Sequence, residues 1–473
     1  MRITTGILAV VVAAGAAYTG ASWYVGKQAQ HTIERAVAEA NLRMSGSMFG
    51  QSSNGSAALV IAEYRRHVFS TDVVYALRVQ GEPGEEYLLS DHMQHGPFPL
   101  GALRSGKFAP MMAWSESRLL PSAATQSWFD SLGGQSPATG RTEVRFGGEA
   151  ETEWNFLPLS VADDTEVLKF SGANIRALLS NNFSDSAVTG SLGLLDTSMG
   201  PGTDRLVIED VRFEYETKTS GNDIQLNANT HAAALKLELA DAGELVLQDA
   251  SMIVSSDRKG DLGSGQVRYD FGHVLSSGVD LGSVALGVSA KDFSMPALDE
   301  LADVFDDLNA RYGPNDDWEL SPQDAALLQQ KLVGLLAGSP ALDLDPIVWR
   351  NDQGESSLSL ALNLAQPPQA DMPLPLDILL PQAIRTLDLK MRIERAMLTR
   401  ALEQLSAGES EAAELVGLLY DEYASRLQTA GLATVDDGAA FTRIAYREGQ
   451  VDANGRQMQL PEFLQRALMV FLF

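Results

Sequence analysis

The densest group of side chains able to do chemistry is Asp91-His92-Met93-Gln94-His95, which closes a strand-like run just before Gly96-Pro97-Phe98-Pro99. Two imidazoles and a carboxylate are donors that hold metals such as zinc, and a hydrolase needs little beyond the metal and its water. Successive strand side chains point to opposite faces, so His92 and His95 diverge if the strand runs through both. No other pair of candidate ligands lies near in sequence. The favoured reading of His95 is therefore structural, bonding backbone around a turn that Gly96 and Pro97 fix. A metal-dependent hydrolase using Asp91, His92 and His95 is the alternative. A nucleotide-binding glycine motif, a phosphate loop, a Gly-x-Ser-x-Gly elbow and a His-Glu-x-x-His signature are all absent. The chain is accordingly expected to be non-enzymatic and to carry no cofactor.

A second pattern is a recurrence. Leu206-Val207-Ile208-Glu209-Asp210-Val211-Arg212-Phe213 matches Leu245-Val246-Leu247-Gln248-Asp249-Ala250-Ser251-Met252. A third copy, Val288-Ser289-Ala290-Lys291-Asp292-Phe293-Ser294-Met295, keeps the Asp and the apolar positions around it. The spacing of roughly forty residues is that of repeated supersecondary units. In each copy the apolar face changes phase beside the Asp, as when a bulge turns a strand and a carboxylate serves local backbone donors. Three such units predict an extended, twisted antiparallel sheet with Leu206, Ile208, Leu245, Leu247, Val288 and Ala290 on a common apolar face. That face can wrap a core, receive helices or lie open as a groove for a lipid-like ligand, and the repeats leave all three open.

The elements around these patterns predict an α+β, β-rich fold. Ala57 to Phe69, Asp72 to Gln80 and Glu86 to Ser90 alternate as half-buried strands. Leu100 to Gly140, with Trp114, Trp128 and Phe129 among prolines and glycines, predicts a helix-and-loop insertion on the sheet; an apolar surface offered to a membrane or partner is the alternative. Helices are expected over 28–45, 295–312, 322–337, 396–407 and 411–429, the one at 322–337 punctuated by Ser321 as N-cap, Pro322 at its first position and Gly338 after its end. Strands are expected at 342–349, 357–365, 385–393, 441–446 and 450–453, with Asn454-Gly455 as a tight turn. A proline-rich linker covers 366–381, and the apolar end from Phe463 to Phe473 predicts a docked terminal helix. The expected division is an anchor at 1–26, a β-rich region at 27–200, a repeated β region at 201–365 and a C-terminal α+β region at 366–473.

The anchor is Ile3 to Val25, an uncharged, mostly apolar run of the length that crosses a bilayer as a helix. It ends in Trp23 and Tyr24, which suit the lipid-water interface. A cleavable secretory signal with Ala14-Gly15-Ala16 as its cleavage site is the competing reading, but the apolar run continues past it. Lys27, Arg35 and Arg43 follow the run and only Arg2 precedes it, yet long domains translocate largely regardless of flanking charge. The body is therefore expected outside the cytoplasm. Ala16 and Gly20 have the spacing at which two membrane helices approach.

A net charge of −27 argues against nucleic acid or anionic lipid headgroups as broad electrostatic partners, since both would be repelled. The acid is spread along the chain, and its densest group, from Asp299 to Glu319, falls largely on a helix whose other face is Leu298, Leu301, Phe305 and Leu308. Zero cysteines mean that no disulfide supports the body.

Trp23-Tyr24-Val25-Gly26 after an apolar N-terminus, the His95-Gly96-Pro97-Phe98-Pro99 element and the closing Gly449-Gln450-Val451-Asp452-Ala453-Asn454-Gly455 together resemble the YdgA-like family of bacterial envelope proteins, of unknown function. The resemblance spans nearly the whole chain. It implies a single-pass bacterial inner-membrane anchor, a periplasmic body and homodimers, and offers no established catalytic residues; a lipid-like ligand or an envelope protein is the partner expected from the apolar sheet face itself. By analogy, the repeated strands also look like the open β-grooves of AsmA-like lipid-handling proteins.

Overall fold

The computed structural model describes residues 41, 57–67, 69–79, 86–95, 98–162, 167–180, 184–198, 204–240, 243–312, 320–367, 382–406 and 410–472. The expected membrane run, nearly all of the helix at 28–45 and most of the proline-rich linker lie outside them. Among the described residues no helix is long and apolar enough to cross a membrane. The protein is β-rich, with extensive antiparallel sheet and a few helices, and divides into two compact units: residues 1–218 with 230–243, and residues 219–229 with 244–473.

The first unit is built on β1 (Ala57–Arg66), β2 (Ser70–Val79), β3 (Glu86–His95), β4 (Ala113–Leu120), β5 (Ala138–Val144), β6 (Ala150–Phe156), β7 (Leu159–Ala162), β8 (Val167–Phe170), β9 (Ala173–Ser180), β10 (Asp185–Ser198) and β11 (Arg205–Ser220). They pair antiparallel in the order β1-β2-β3-β4-β5-β6-β9-β10-β11, with β8 beside part of β10 and β7 beside β8. The inner face closes over an apolar core in which Leu59, Val73, Tyr75, Leu77 and Leu89 are all 4% exposed or less. Trp128 and Phe129, on the short helix α2 (Gln126–Ser131), cap that core.

The stretch expected as an insertion is half strand. β4 is a full member of the sheet, flanked by α1 (Leu100–Arg104) and α2. Its inward residues include Ser115 and Ser117, both buried, so the apolar/polar alternation that marks a strand in sequence is missing.

β12 (Asp223–Leu239) is divided between the units, its residues 223–229 in the second and 230–239 in the first. The second unit pairs β13 (Gly243–Lys259), β14 (Leu262–Ser276), β16 (Ser283–Ser294), β17 (Ala341–Asn351), β18 (Gly354–Leu364), β19 (Ile384–Glu394), β21 (Ala439–Arg447), β22 (Gln450–Ala453) and β23 (Arg456–Gln459) antiparallel in that order. The short strands β15 (Val279–Asp280) and β20 (Thr434–Asp436) lie beside β14 and β21. Asn454 and Gly455 both take positive φ (53° and 82°), the two-residue turn that matches strand twist.

Two helix pairs interrupt this sheet: α3 (Met295–Tyr312) with α4 (Pro322–Leu335), and α5 (Arg395–Leu405) with α6 (Ser410–Thr429). Ser321 caps α4 by accepting the Asp324 N–H, with Pro322 in the first turn. The Asp324 carboxylate in turn accepts from Ser321 Oγ, Tyr312 and Arg311, each at 2.7 Å, which hold it below the usual carboxylate range and tie α4 to α3. On α3 the buried stripe is Leu301, Val304 and Leu308, whereas Leu298 and Phe305 are exposed. The buried face is thus narrower than the expected one, and α4 runs close beside it, with Ala297 against Gly334. The acidic residues Asp299, Asp303, Asp306 and Asp307 point outward. α7 (Leu460–Leu472) packs Phe463 and Ala467 on Val451, Ala453 and Met458.

Candidate functional site

Strand alternation separates the cluster that closes β3. Asp91 points inward and is 2% exposed, accepting from Ser117 Oγ at 2.8 Å and from Ser115 Oγ. His92 points to the other face, where its Nδ1 lies 2.5 Å from Asp72 Oδ1, and His67 Nε2 approaches Asp72 Oδ2 at 3.2 Å. His95 Nε2 lies 3.1 Å from Thr71 Oγ1. The His95 backbone N–H donates to the Phe69 carbonyl at 2.8 Å where the strand ends, whereas the partner of its imidazole is the Thr71 hydroxyl. Each of the three side chains thus has a different partner, and among the described residues no group of three possible ligands converges. Phe98 is 54% exposed and Pro99 buried, while Gly96 and Pro97 lie outside the described residues.

The register places Asp91 in a lateral row with Tyr64, Val73, Ser117, Gly140 and Trp154. Paired residues of an antiparallel sheet share a face. Gly140 makes room there for the Trp154 ring, which a Cβ would meet at 2.5 Å. Asp91 Oδ2, Tyr64 OH, Tyr75 OH and Trp154 Nε1 are all buried without a hydrogen-bond partner in the protein. Burial pushes the Asp91 carboxyl up to about 6 against the pull of its two serine donors. Burial, with the charge of Asp91, also raises Tyr75 well above its ordinary value. Beside this seam runs a hydroxyl row, Ser115, Thr142 and Thr152, with Thr142 and Thr152 2.8 Å apart. A carboxyl that takes up its proton near pH 6 among hydroxyls can donate as well as accept once protonated, but the imidazole next to it in sequence faces away.

The opposite face of this sheet carries alternating charge in the row Asp72, His92, Glu116, Arg141, Glu153 and Arg176, above a cleft of about 610 Å³. Burial pulls the Asp72 carboxyl up, but its bonds to the two imidazoles more than offset this and leave it below its ordinary value.

The three recurrent Asp residues share one local geometry. Asp210, Asp249 and Asp292 each take positive φ within a strand, at 49°, 49° and 57°. The first two interrupt the ladder opposite Gly193 and Gly272, and the third sits at a bulge where its N–H donates to Ser264 Oγ. Asp210 lies in the first unit and the others in the second, where Asp249 and Asp292 fall opposite different ends of β14. Around them Val207, Val246 and Ala250 are buried; Leu206, Ile208, Leu247, Val288 and Ala290 are half-buried, and Leu245 is exposed.

Val288 and Ala290 belong to a broad apolar face of the second unit. One row reads Val254, Val267, Val288, Leu344, Leu360, Leu389 and Ile444; the next reads Met252, Tyr269, Leu286, Ile347, Leu358 and Met391. Ala290, Leu342, Leu362, Leu387 and Tyr446 make a third. Every one of these side chains is only half-buried. Six strand spacings of about 4.8 Å make the face roughly 29 Å wide. Its reverse is polar, pairing Ser289 with Asp343, Ser357 with Arg392 and Ser359 with Lys390. Sequence reasoning found Val288 and Ala290 through the repeat, but missed the larger part of this face on β17 to β19, where Leu342, Leu344, Leu358, Leu360, Leu362, Leu387 and Leu389 recur at every second position.

The profile of a family described as bacterial protein of unknown function (DUF945) matches residues 1–461. Protein YdgA of Escherichia coli strain K12 is 23% identical over 96% of this chain and 94% of its own length. The uncharacterized protein YihF of the same strain is 22% identical over 97% of each chain. No solved structure matches.

Proposed function

This chain belongs to the DUF945 family of bacterial proteins of unknown function, and on that premise we propose that it is a non-catalytic envelope protein that binds lipid-like, apolar envelope components on the open face of its second unit. In this reading Ile3 to Val25 stays attached as a single-pass inner-membrane anchor, the body is periplasmic and the protein works as a homodimer. The observation that carries the ligand class is the half-buried state of three adjoining apolar rows. A face that wide loses free energy in contact with water, at about 25 cal/mol per Å² of apolar surface, and patches of this kind mark binding surfaces. The polar reverse gives the sheet a wet side and a greasy side, the amphipathy that a carrier of acyl chains requires.

The test is photo-crosslinking from Leu360 in the full chain in its host. A lipid-sized adduct at Leu360, absent from a probe at Ser359 on the polar face, is expected. Crosslinking only to a second copy of the chain, or no adduct, would overturn the ligand. Anchoring has its own readout: mass spectrometry of the membrane fraction should find residues 1–16 retained, and a mature N-terminus at Ala17 would reverse that part.

A further inference from the structure

Three separate segments of the first unit, around His67 and Phe69, at 98–112 and at 145–149, come to the same end of its sheet. The ladder step His95, Ala113, Val144 and Ala150 crosses that end, and the His95 N–H donates to the carbonyl of Phe69 in the neighbouring turn. Large apolar side chains project from all three: Phe69 is 77% exposed, Phe98 54%, Leu100 64%, Phe108 72% and Phe146 60%. Among the described residues five phenylalanines are exposed, and four of them are here. Chance scatter of surface apolar groups does not collect residues far apart in sequence at one rim.

The segments that form this rim carry the opposite charge to the whole chain. Residues 65–70, 96–112 and 145–149 contain Arg65, Arg66, Arg104, Lys107 and Arg145 against the single acid Glu149, in a protein of net charge −27. Arg65, Lys107 and Arg145 lean on Glu63, Glu143 and Glu151 of the adjoining strands, and Arg66 and Arg104 have no ion-pair partner among the described residues. Exposed aromatics ringed by Lys and Arg are the composition that settles into the headgroup layer of a bilayer, rings at the acyl boundary and cations at lipid phosphates. A soluble protein partner would be met by a flatter patch, because such interfaces bury their aromatics in a packed centre rather than on separate projecting turns.

We propose that this end of the first unit is a membrane-insertion tip, which dips Phe69, Phe98, Leu100, Phe108 and Phe146 into the interface of an anionic bilayer. The inference stands independently of the apolar face of the second unit, which serves single ligands rather than a surface. Rim and face lie in different units, so the failure of one leaves the other intact.

The chain has no cysteine, so a single Ala109→Cys supplies a unique label beside Phe108. The full chain is held in nanodiscs, with an environment-sensitive fluorophore on that cysteine and brominated acyl chains either in the nanodisc or in added anionic vesicles. Quenching in either arm is expected, and the arm that responds identifies the bilayer engaged. A Gln135→Cys label at the far end of β5, about 23 Å away, should stay unquenched. Replacing Phe69, Phe108 and Phe146 together by Ser, which removes no core contact, should abolish the quenching. Arg66→Gln and Arg104→Gln should each lower the engaged fraction roughly fivefold. Absence of quenching in both arms, or quenching that survives the triple substitution, would overturn the tip.

Discussion

The two units solve the same problem, a twisted antiparallel sheet with one apolar side, in opposite ways. In the first, aromatic and aliphatic side chains interdigitate until Tyr75, Leu77 and Val73 are at 1% exposure or less, and even a carboxyl is sealed in. In the second, rows of leucine and valine run across seven strands and stay half-buried, while the helices α3 with α4 and α5 with α6 bury their best contacts against each other. A sheet that spent its apolar face on stability would resemble the first unit. The second leaves that face half-buried, which is the basis for assigning binding to it.

The largest expected effects test that contrast directly. Leu77→Ala should cost roughly 3 kcal/mol of stability to urea, whereas Leu344→Ala on the open face should cost about 1 kcal/mol. Equal losses would mean that the second face is as buried as the first. The sealed carboxyl gives the next effect. An acid whose value is raised from 3.8 to about 6 by burial favours the protonated fold, so its stabilisation is complete below its unfolded value and lost as pH rises through about 6. Stability of the first unit should therefore fall by roughly 2 kcal/mol between about pH 4 and about pH 7. Asp91→Asn should flatten that slope, and an unchanged slope would place the titration elsewhere.

Gly140→Ala pushes a methyl group into the Trp154 ring and should cost about 2 kcal/mol. Its counterpart in the second unit, Gly265→Ala, meets nothing closer than 3.6 Å and should be nearly neutral. The smallest effect concerns the recurrent Asp. Asp249→Val forces a branched side chain into the left-handed region and should cost roughly 1–2 kcal/mol, while Asp249→Gly should be neutral or stabilising. Similar values for both variants would show that the side chain, and not the backbone, keeps Asp there.

Much of the architecture was legible in advance. The helix at 322–337 carries its N-terminal cap in sequence, and the strand at 385–393 carries its alternation. The recurrence around Asp210, Asp249 and Asp292 was legible too, because a left-handed residue inside a strand leaves a phase slip in the apolar pattern. β4 was not, since its buried side is made of serines that only a neighbouring carboxyl explains. Of the Asp91, His92 and His95 cluster, alternation foretold that the two histidines part, but not that Asp72, twenty residues earlier, would receive one of them.

Composition and periodicity by themselves determined that this chain is acidic and β-rich, that it carries an apolar run at its N-terminus, and that its strands are two-faced. Those properties are local: each depends on a residue and its neighbours a few places along the chain. Which face is sealed and which is open, which carboxyl is buried, and which three turns gather five large apolar side chains at one rim depend on strand register, and register joins residues dozens of places apart. Only the tertiary structure decides these, because the free energy of burial is set by what packs on a side chain from across the sheet, and periodicity says only which way that side chain points.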